Sequence, residues 1–269
     1  IIAKSIYEGR KEDNSHVKKI FSISSKKEIG TVFFDNPEKI KQSLTRNLNT
    51  TWFNTSHIER SKILNKIAND IEENPYELMY FLINEAGKTI QNSIDEIREA
   101  VDFLRYYSNQ ILEISNSSQL EGPTGEENLI TYVPKGRFLC ISPWNFPVAI
   151  LVGQISAALA CGNSVVVKPS EHTSILGYLV IKKFHELGIP EDALELILGD
   201  GDIGETLTKI SPLHGVSFTG SLKTAKRIQA SLLENQRQIV PLIAETGGIN
   251  AMIVDSSALL EQVIDDVIR

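Results

Sequence analysis

Apolar residues recur along this chain in two rhythms, and the change from one to the other falls near residue 129. Upstream the spacing is helical. Leu64, Ile67, Ala68 and Ile71 stand at i, i+3, i+4 and i+7, which predicts a helix with one buried face. Asn74-Pro75 then offers a capping side chain ahead of proline at a first helical position, and Gly87 supplies the stop of that second helix. A third helix carries Ile90, Ile94, Ile97, Val101 and Leu104 as one stripe. Residues 115–125 are rich in Ser, Gly and Pro and read as a loop. Residues 1–50 are polar and weakly periodic, and read as an arm or linker leading into the fold.

Downstream the runs are short and continuous. Residues 129–133 and 138–142 are strand-like and flank Pro134-Lys135-Gly136, which reads as a turn, so 129–142 is expected to form a strand pair. Apolar strand candidates at 164–168, 194–198, 215–218 and 251–254 then alternate with helical patterns at about 148–161, 174–187, 202–210 and 223–235. Strands without polar alternation, separated by helices, imply a parallel sheet covered on both faces. The expected fold class is α/β, a Rossmann-like doubly wound parallel sheet preceded by a helical region over 51–128. Such sheets bind ligands at the carboxyl ends of their strands.

Composition narrows this picture mainly by exclusion. A net charge of −7 argues against nucleic acid as a partner, which would favour a basic face. Two cysteines, Cys140 and Cys161, are too few for a disulfide framework and suit a reducing cytoplasm. Both sit in apolar runs and read as small buried hydrophobes, without the exposed electropositive setting of a reactive thiol. The apolar stretch at 148–161 is shorter than the ~20 residues a membrane span needs, and reads as a buried helix. The five histidines show no metal-ligand spacing. The first residues, Ile1-Ile2-Ala3-Lys4, have neither a starting Met nor a signal-peptide pattern, so the chain is expected to be a piece of a longer one.

Candidate chemistry gathers where the strands should end. Asn145, on a turn fixed by Pro143 and Pro147, carries an amide that either donates to a developing oxyanion or closes the turn. Lys168 and Glu171 follow a strand that Pro169 terminates, so they face a ligand beside the sheet or form a solvated surface pair. Phe218-Thr219-Gly220-Ser221 joins a strand to a helix, a geometry whose backbone N–H groups suit phosphate. Ala225 breaks any G-x-G-x-x-G reading of that loop. Glu245, after Leu242-Ile243-Ala244 and before Gly247-Gly248, is expected to be desolvated. Its pKa would then rise, as a general base needs, unless it only supports the Gly-Gly turn.

Together, Pro143-Trp144-Asn145-Phe146-Pro147, Lys168-Pro169-Ser170-Glu171 and Ala244-Glu245-Thr246-Gly247-Gly248 resemble the aldehyde dehydrogenase superfamily over almost the whole chain. Two longer stretches are similar to the Δ1-pyrroline-5-carboxylate dehydrogenase half of bifunctional proline utilisation A. One is Glu85-Ala86-Gly87-Lys88-Thr89 followed by residues 96–107; the other runs from Ala244 to Leu259.

The resemblance implies NAD as cofactor and an aldehyde, L-glutamate 5-semialdehyde, as substrate. It implies that Lys168 and Glu171 hold the adenosine ribose hydroxyls, Glu171 disfavouring the 2′-phosphate of NADP. Ser142, Pro143, Trp144, Pro169, Ser170, Gly201, Phe218, Thr219, Gly220, Ser221, Thr246 and Gly247 would complete the cofactor site. Asn145 would stabilise the oxyanion and Glu245 activate the water that releases the acid. Residues 143–269 would be the NAD-binding domain, and 129–142 the start of an oligomerisation arm, making the intact protein a homo-oligomer. A proline dehydrogenase domain would precede residue 1. The family's nucleophilic cysteine follows the Glu-x-Gly-Gly segment, yet no residue after Glu245 is cysteine, so this chain alone is expected to be inactive. A non-catalytic nucleotide-binding or assembly remnant is the other reading.

Overall fold

The structure is a computed structural model that describes residues 1–7, 16–44, 50–115 and 118–268. Strands β1 (Ile2–Lys4), β2 (Val17–Phe21) and β3 (Glu28–Phe33) form a small sheet in the order β1-β3-β2, and α1 (Pro37–Leu44) follows. Residues 1–50, which the polar sequence presents as an arm, are therefore folded over their described part. Ala3, Ile20, Val32 and Phe34 are buried in the main core. Ile6 exchanges two backbone hydrogen bonds with Leu196, at 2.8 and 2.7 Å. The pattern was illegible because β2 carries a single buried residue, Ile20, among Lys18, Lys19 and exposed Phe21.

The helical region matches its expected periods. In α2 (His57–Glu73) Leu64, Ile67, Ala68 and Ile71 are fully buried, and Ser56 caps the first turn by accepting from Glu59 N at 3.2 Å. Then come α3 (Tyr76–Asn84) and α4 (Ile90–Ile114). Asn74 does not cap α3: it closes α2, its N–H donating to Asp70 O, and Pro75 itself takes the N-cap position. Gly87 does mark the stop, with φ +74. Along α4 the stripe is buried only from Ile97 onward, and Ile90 and Ile94 face outward.

Strands β4 (Ser118–Leu120) and β5 (Asn128–Ile130) pair antiparallel. The pairing expected within 129–142 is not formed. β5 belongs to this two-stranded ribbon, whereas β6 (Arg137–Ile141) is the middle strand of the large sheet. Residues 135–136 are held from elsewhere: Asn163 Oδ1 accepts from Lys135 N at 2.7 Å and Gly136 N at 2.9 Å.

From β6 onward strand and helix alternate: α5 (Ala149–Ala160), β7 (Ser164–Lys168), α6 (Ser174–Leu187), β8 (Leu194–Leu196), α7 (Gly201–Thr208), β9 (Gly215–Gly220), α8 (Leu222–Asn235), β10 (Leu242–Thr246) and α9 (Leu260–Ile268). All five strands are parallel, in the order β10-β9-β6-β7-β8. Adjacent side chains on one strand enter different cores, as the two-residue period requires. Cys140, Val165 and Val167 pack with α2–α6, while Leu139, Val166, Val216 and Phe218 pack with α1, α7 and α8. The fold is thus the doubly wound parallel sheet with its helical region stacked on one face.

The last strand differs from the expected one. Residues 251–254 are not a strand; Leu242–Thr246 is, pairing with β9 from Leu242↔Val216 to Thr246↔Gly220. An apolar run makes a strand only beside a partner, and the edge beside β9 is already filled by β10. Ile249, Met252, Ile253 and Val254 are exposed, and α9 buries no residue. Among the described residues, no helix is long and apolar enough to cross a membrane.

Candidate active site

The chain runs from β6 to β7 and β8 on one side, then returns to place β9 and β10 on the other. The direction of winding therefore reverses between β6 and β9. Loops leaving neighbouring strands diverge at such a point and open a crevice at the carboxyl ends. Register brings the candidate residues to that edge. Ala244, Phe218, Ile141 and Lys168 form one row across four strands, and Glu245 lies beside Thr219 in the next. At strand spacings of about 4.8 Å, Glu245 stands roughly two strands from Ser142.

Each loop is fixed locally. Ser142 continues the pairing past β6, its N–H donating to Lys168 O at 3.3 Å; its Oγ is buried and makes no hydrogen bond to the described residues. Residues 144–146 then bulge outward, leaving Trp144, Asn145 and Phe146 exposed before Pro147 and Val148 return to the core. On the next strand Lys168 is 5% exposed. Its Nζ donates to Pro169 O at 3.2 Å and lies 3.8 Å from Glu171 Oε2. Burial lowers the Lys168 pKa, opposed by the carboxylates of Glu171 and Asp200. Pro169 turns the chain by packing on Gly177 of α6, where a Cβ would come within 2.5 Å of the proline ring. His172, exposed, lies 4.0 Å from Glu171. Gly201 opens α7, whose N-cap is Asp200.

Across the crevice, Ser221 caps α8, its Oγ accepting from Thr224 N at 3.2 Å. Ala225, at the position where a second glycine would lie, is buried against the α7–α8 side of the sheet. The helix end therefore points its free N–H groups at the 218–221 loop. Thr219 Oγ1 accepts from Gln154 Nε2 at 3.2 Å, and the same amide reaches Ile141 O at 3.4 Å, so Gln154 ties β6 to β9 across the reversal.

Glu245, Thr246 and Gly247 end the edge strand β10. The expected apolar enclosure of Glu245 is not found. The carboxylate is exposed, Ile243 is exposed and Leu242 only half-buried, because the main described neighbours of β10 are β9 and, on one face, α8. Neither thiol reaches this edge. Cys140 points into the core, and burial pushes it up to about 12. Cys161 caps the far end of α5, at the opposite edge of the sheet. It is exposed, contrary to its apolar sequence context, and partial desolvation raises its pKa against the opposing effect of Arg60. Among the described residues, no group of three or more His, Cys, Asp or Glu could hold a metal ion.

Sequence reasoning missed the carboxylates that anchor the loops. Glu85 Oε1 and Oε2 accept from Ile175 N and Leu176 N, both at 2.9 Å, and so bind the start of α6. Glu96 Oε1 accepts from Val148 N at 2.7 Å and Ala149 N at 3.2 Å at the start of α5. The available signal was a carboxylate at a buried helical spacing, Glu96 between Ser93 and Ala100.

Burial raises Glu85 from 4.5 to about 7, against the two backbone hydrogen bonds and Lys18. Because the folded state favours the protonated acid, this group's stabilisation is full below the unfolded pKa and is lost as pH rises through about 7. Urea unfolding from pH 5 to pH 8 should therefore show the protein losing about 2–3 kcal/mol relative to Glu85→Gln. Parallel curves for the two proteins would place the carboxyl in an ordinary, solvated state.

The sequence profile of the aldehyde dehydrogenase family matches residues 11–269. The chain is 44% identical over 246 residues to the bifunctional protein PutA of Escherichia coli, covering 89% of this chain and 18% of that protein. It is 35% identical over 222 residues to the 1-pyrroline-5-carboxylate dehydrogenase of Geobacillus thermodenitrificans, covering 81% and 43% of the two. The crystal structure of 1-pyrroline-5-carboxylate dehydrogenase from Thermus with bound NAD superposes with a TM-score of 0.84 at 28% identity, over 92% of this chain and 49% of that one. The chain thus spans less than half the length of each of these relatives. Its strand order, the residues gathered at the reversal and a match along nearly its whole length place it in the aldehyde dehydrogenase family.

Proposed function

We propose that the chain supplies the dinucleotide-binding part of an NAD-dependent aldehyde dehydrogenase that oxidises L-glutamate 5-semialdehyde, formed from Δ1-pyrroline-5-carboxylate, to L-glutamate. The observation that carries this reading is the gathering of Lys168, Glu171, Ser142 and the 218–221 loop at the carboxyl ends of adjacent strands where the winding reverses. The kinds of relative the chain matches support this substrate, and the likeness to the bifunctional protein PutA supports a proline dehydrogenase domain elsewhere in the parent protein.

The residues present fit the cofactor. Ser142 Oγ is a buried hydroxyl without a hydrogen-bond partner among the described residues, and Lys168 is a buried ammonium beside the Pro169 carbonyl and the carboxylates of Glu171 and Asp200. Buried polar groups so placed suit a ligand bearing hydroxyls and phosphates. Lys168 and Glu171 would hold the adenosine ribose, while the start of α8, with Phe218, Thr219, Gly220 and Ser221, would hold the pyrophosphate. Ser142, Pro143, Trp144, Pro169, Ser170, Gly201, Thr246 and Gly247 would line the remainder. NAD, when bound, supplies the hydride acceptor. The chain's own part in the chemistry would be the Asn145 amide, donating to the oxyanion, and Glu245, taking a proton from the hydrolytic water. The described residues leave Glu245 in solvent, so its tuning as a base depends on an apolar cover that they do not provide.

Cofactor choice gives the test. A carboxylate facing a 2′-phosphate costs on the order of 1–3 kcal/mol near a protein surface, so NAD should bind about 10–100-fold more tightly than NADP. Calorimetric titration of both dinucleotides, repeated with Glu171→Gln, measures this directly. The substitution should bring the two affinities together. Equal affinities in the unsubstituted protein would remove Glu171 from the ribose site.

A further inference from the structure

We propose that Lys88 and Glu96 are positioning residues for Asn145, forming a buried ion pair from the helical region that grips the chain on the C-terminal side of the amide. Lys88 Nζ and Glu96 Oε2 are 2.5 Å apart, with side chains only 11% and 0% exposed. The other carboxylate oxygen of Glu96 holds Val148 N and Ala149 N. Lys88 Nζ also sits 4.0 Å from the centroid of the Phe146 ring, a cation–π contact with the residue next to Asn145. One ion pair therefore fixes residues 146, 148 and 149, and it does so from outside the sheet that carries the turn.

The local sequence explains why these two side chains meet. Gly87, at φ +74, ends the α3 connection, and Lys88 N donates to Leu82 O at 3.0 Å. Thr89 caps α4 by accepting from Asn92 N at 3.1 Å, which starts the helix so that Glu96 falls two turns along on its buried face. Trp144, Asn145 and Phe146 are exposed, and Phe146 meets the helical region through its ring contact with Lys88. A backbone that bulges away from the sheet needs such an anchor if its amide is to meet a developing charge, because small misplacements of a donor are costly. Ion pairing makes the anchor directional, as the ammonium is shared between a carboxylate and an aromatic face.

The inference rests on the reading of Asn145 as the oxyanion donor, and the experiment separates the two. In the full-length protein containing these residues, Lys88→Met should lower kcat by about 10²-fold with NAD affinity unchanged. Lys88→Arg should recover most of that loss. Combined with Asn145→Ala, Lys88→Met should add no further loss, since its effect passes through Asn145. A lone buried carboxylate could unfold the variant, so Lys88→Met/Glu96→Gln, which leaves no unpaired charge, is measured alongside and should show the same loss. Hydrogen exchange at the Val148 and Ala149 amides reports the anchoring itself and should quicken in Lys88→Met and in the double variant, with α2 unaffected. Unchanged exchange there, or an equal fall in kcat with and without Asn145, overturns the proposal. If the parent oxidises no aldehyde, the functional reading fails and the exchange result alone decides the positioning.

Discussion

Residues 1–269, produced by themselves, should form no NADH from glutamate semialdehyde and NAD at any aldehyde concentration. Thioester-forming oxidation needs a thiolate within reach of the carbonyl, oriented beside the oxyanion donor. Cys140 is fully buried in β6, its side chain packed among α5 and the helical region, and its pKa is pushed up to about 12. At neutral pH such a thiol is overwhelmingly protonated, and nothing aims it at solvent. Cys161 is accessible, but it caps the end of α5 that lies at the amino edge of the parallel sheet, while Asn145 and Glu245 lie at the carboxyl edge. Absorbance at the NADH band, with Cys140→Ala/Cys161→Ala as the control, checks the expectation. Turnover above that control would mean that one of these thiols does reach an aldehyde.

In the full-length protein containing the chain, Asn145→Ala should cost about 10²–10³ in kcat, the scale for removing one preorganised oxyanion donor. The side chain is exposed, so its loss should leave no cavity in the core. Folding and dinucleotide affinity should therefore be preserved, and the loss should appear in kcat rather than in the KM for NAD. Stopped-flow measurement of NADH formation, paired with a binding titration, separates the two. A variant with full kcat would return Asn145 to the role of a turn residue.

The two helix-anchoring carboxylates give the helical region a part in the site although it contributes no candidate contact to the dinucleotide. Glu85 grips the start of α6, just after the Lys168–Glu171 loop, and Glu96 grips the start of α5, just after the Asn145 turn. Both exploit the same physics: the first N–H groups of a helix lack partners in their own helix, and a buried carboxylate satisfies two at once.

The sequence by itself determined the parts whose physics is local. Helical spacing located α2 and the buried length of α4, and continuous apolar runs located β7 and β9. The proline- and glycine-bounded motifs placed Asn145, Lys168, Glu171 and Ser221 at strand ends. These features are legible because burial on one face, or on two, prints its period on a short stretch of chain. Only the tertiary structure decided the rest. β1 is three residues long and β2 has one buried position, so their pattern is too short to rise above the surrounding lysines. Whether β5 pairs with β6 or with β4, and whether 242–246 or 251–254 takes the edge beside β9, are choices between partners distant in sequence, to which a local apolar run is indifferent. The same holds for solvent. Glu245 follows three apolar residues yet stands exposed, because little besides α8 packs on the faces of β10 among the described residues. Glu96 follows an aspartate yet is fully buried, because α5 brings two unpaired N–H groups to meet it.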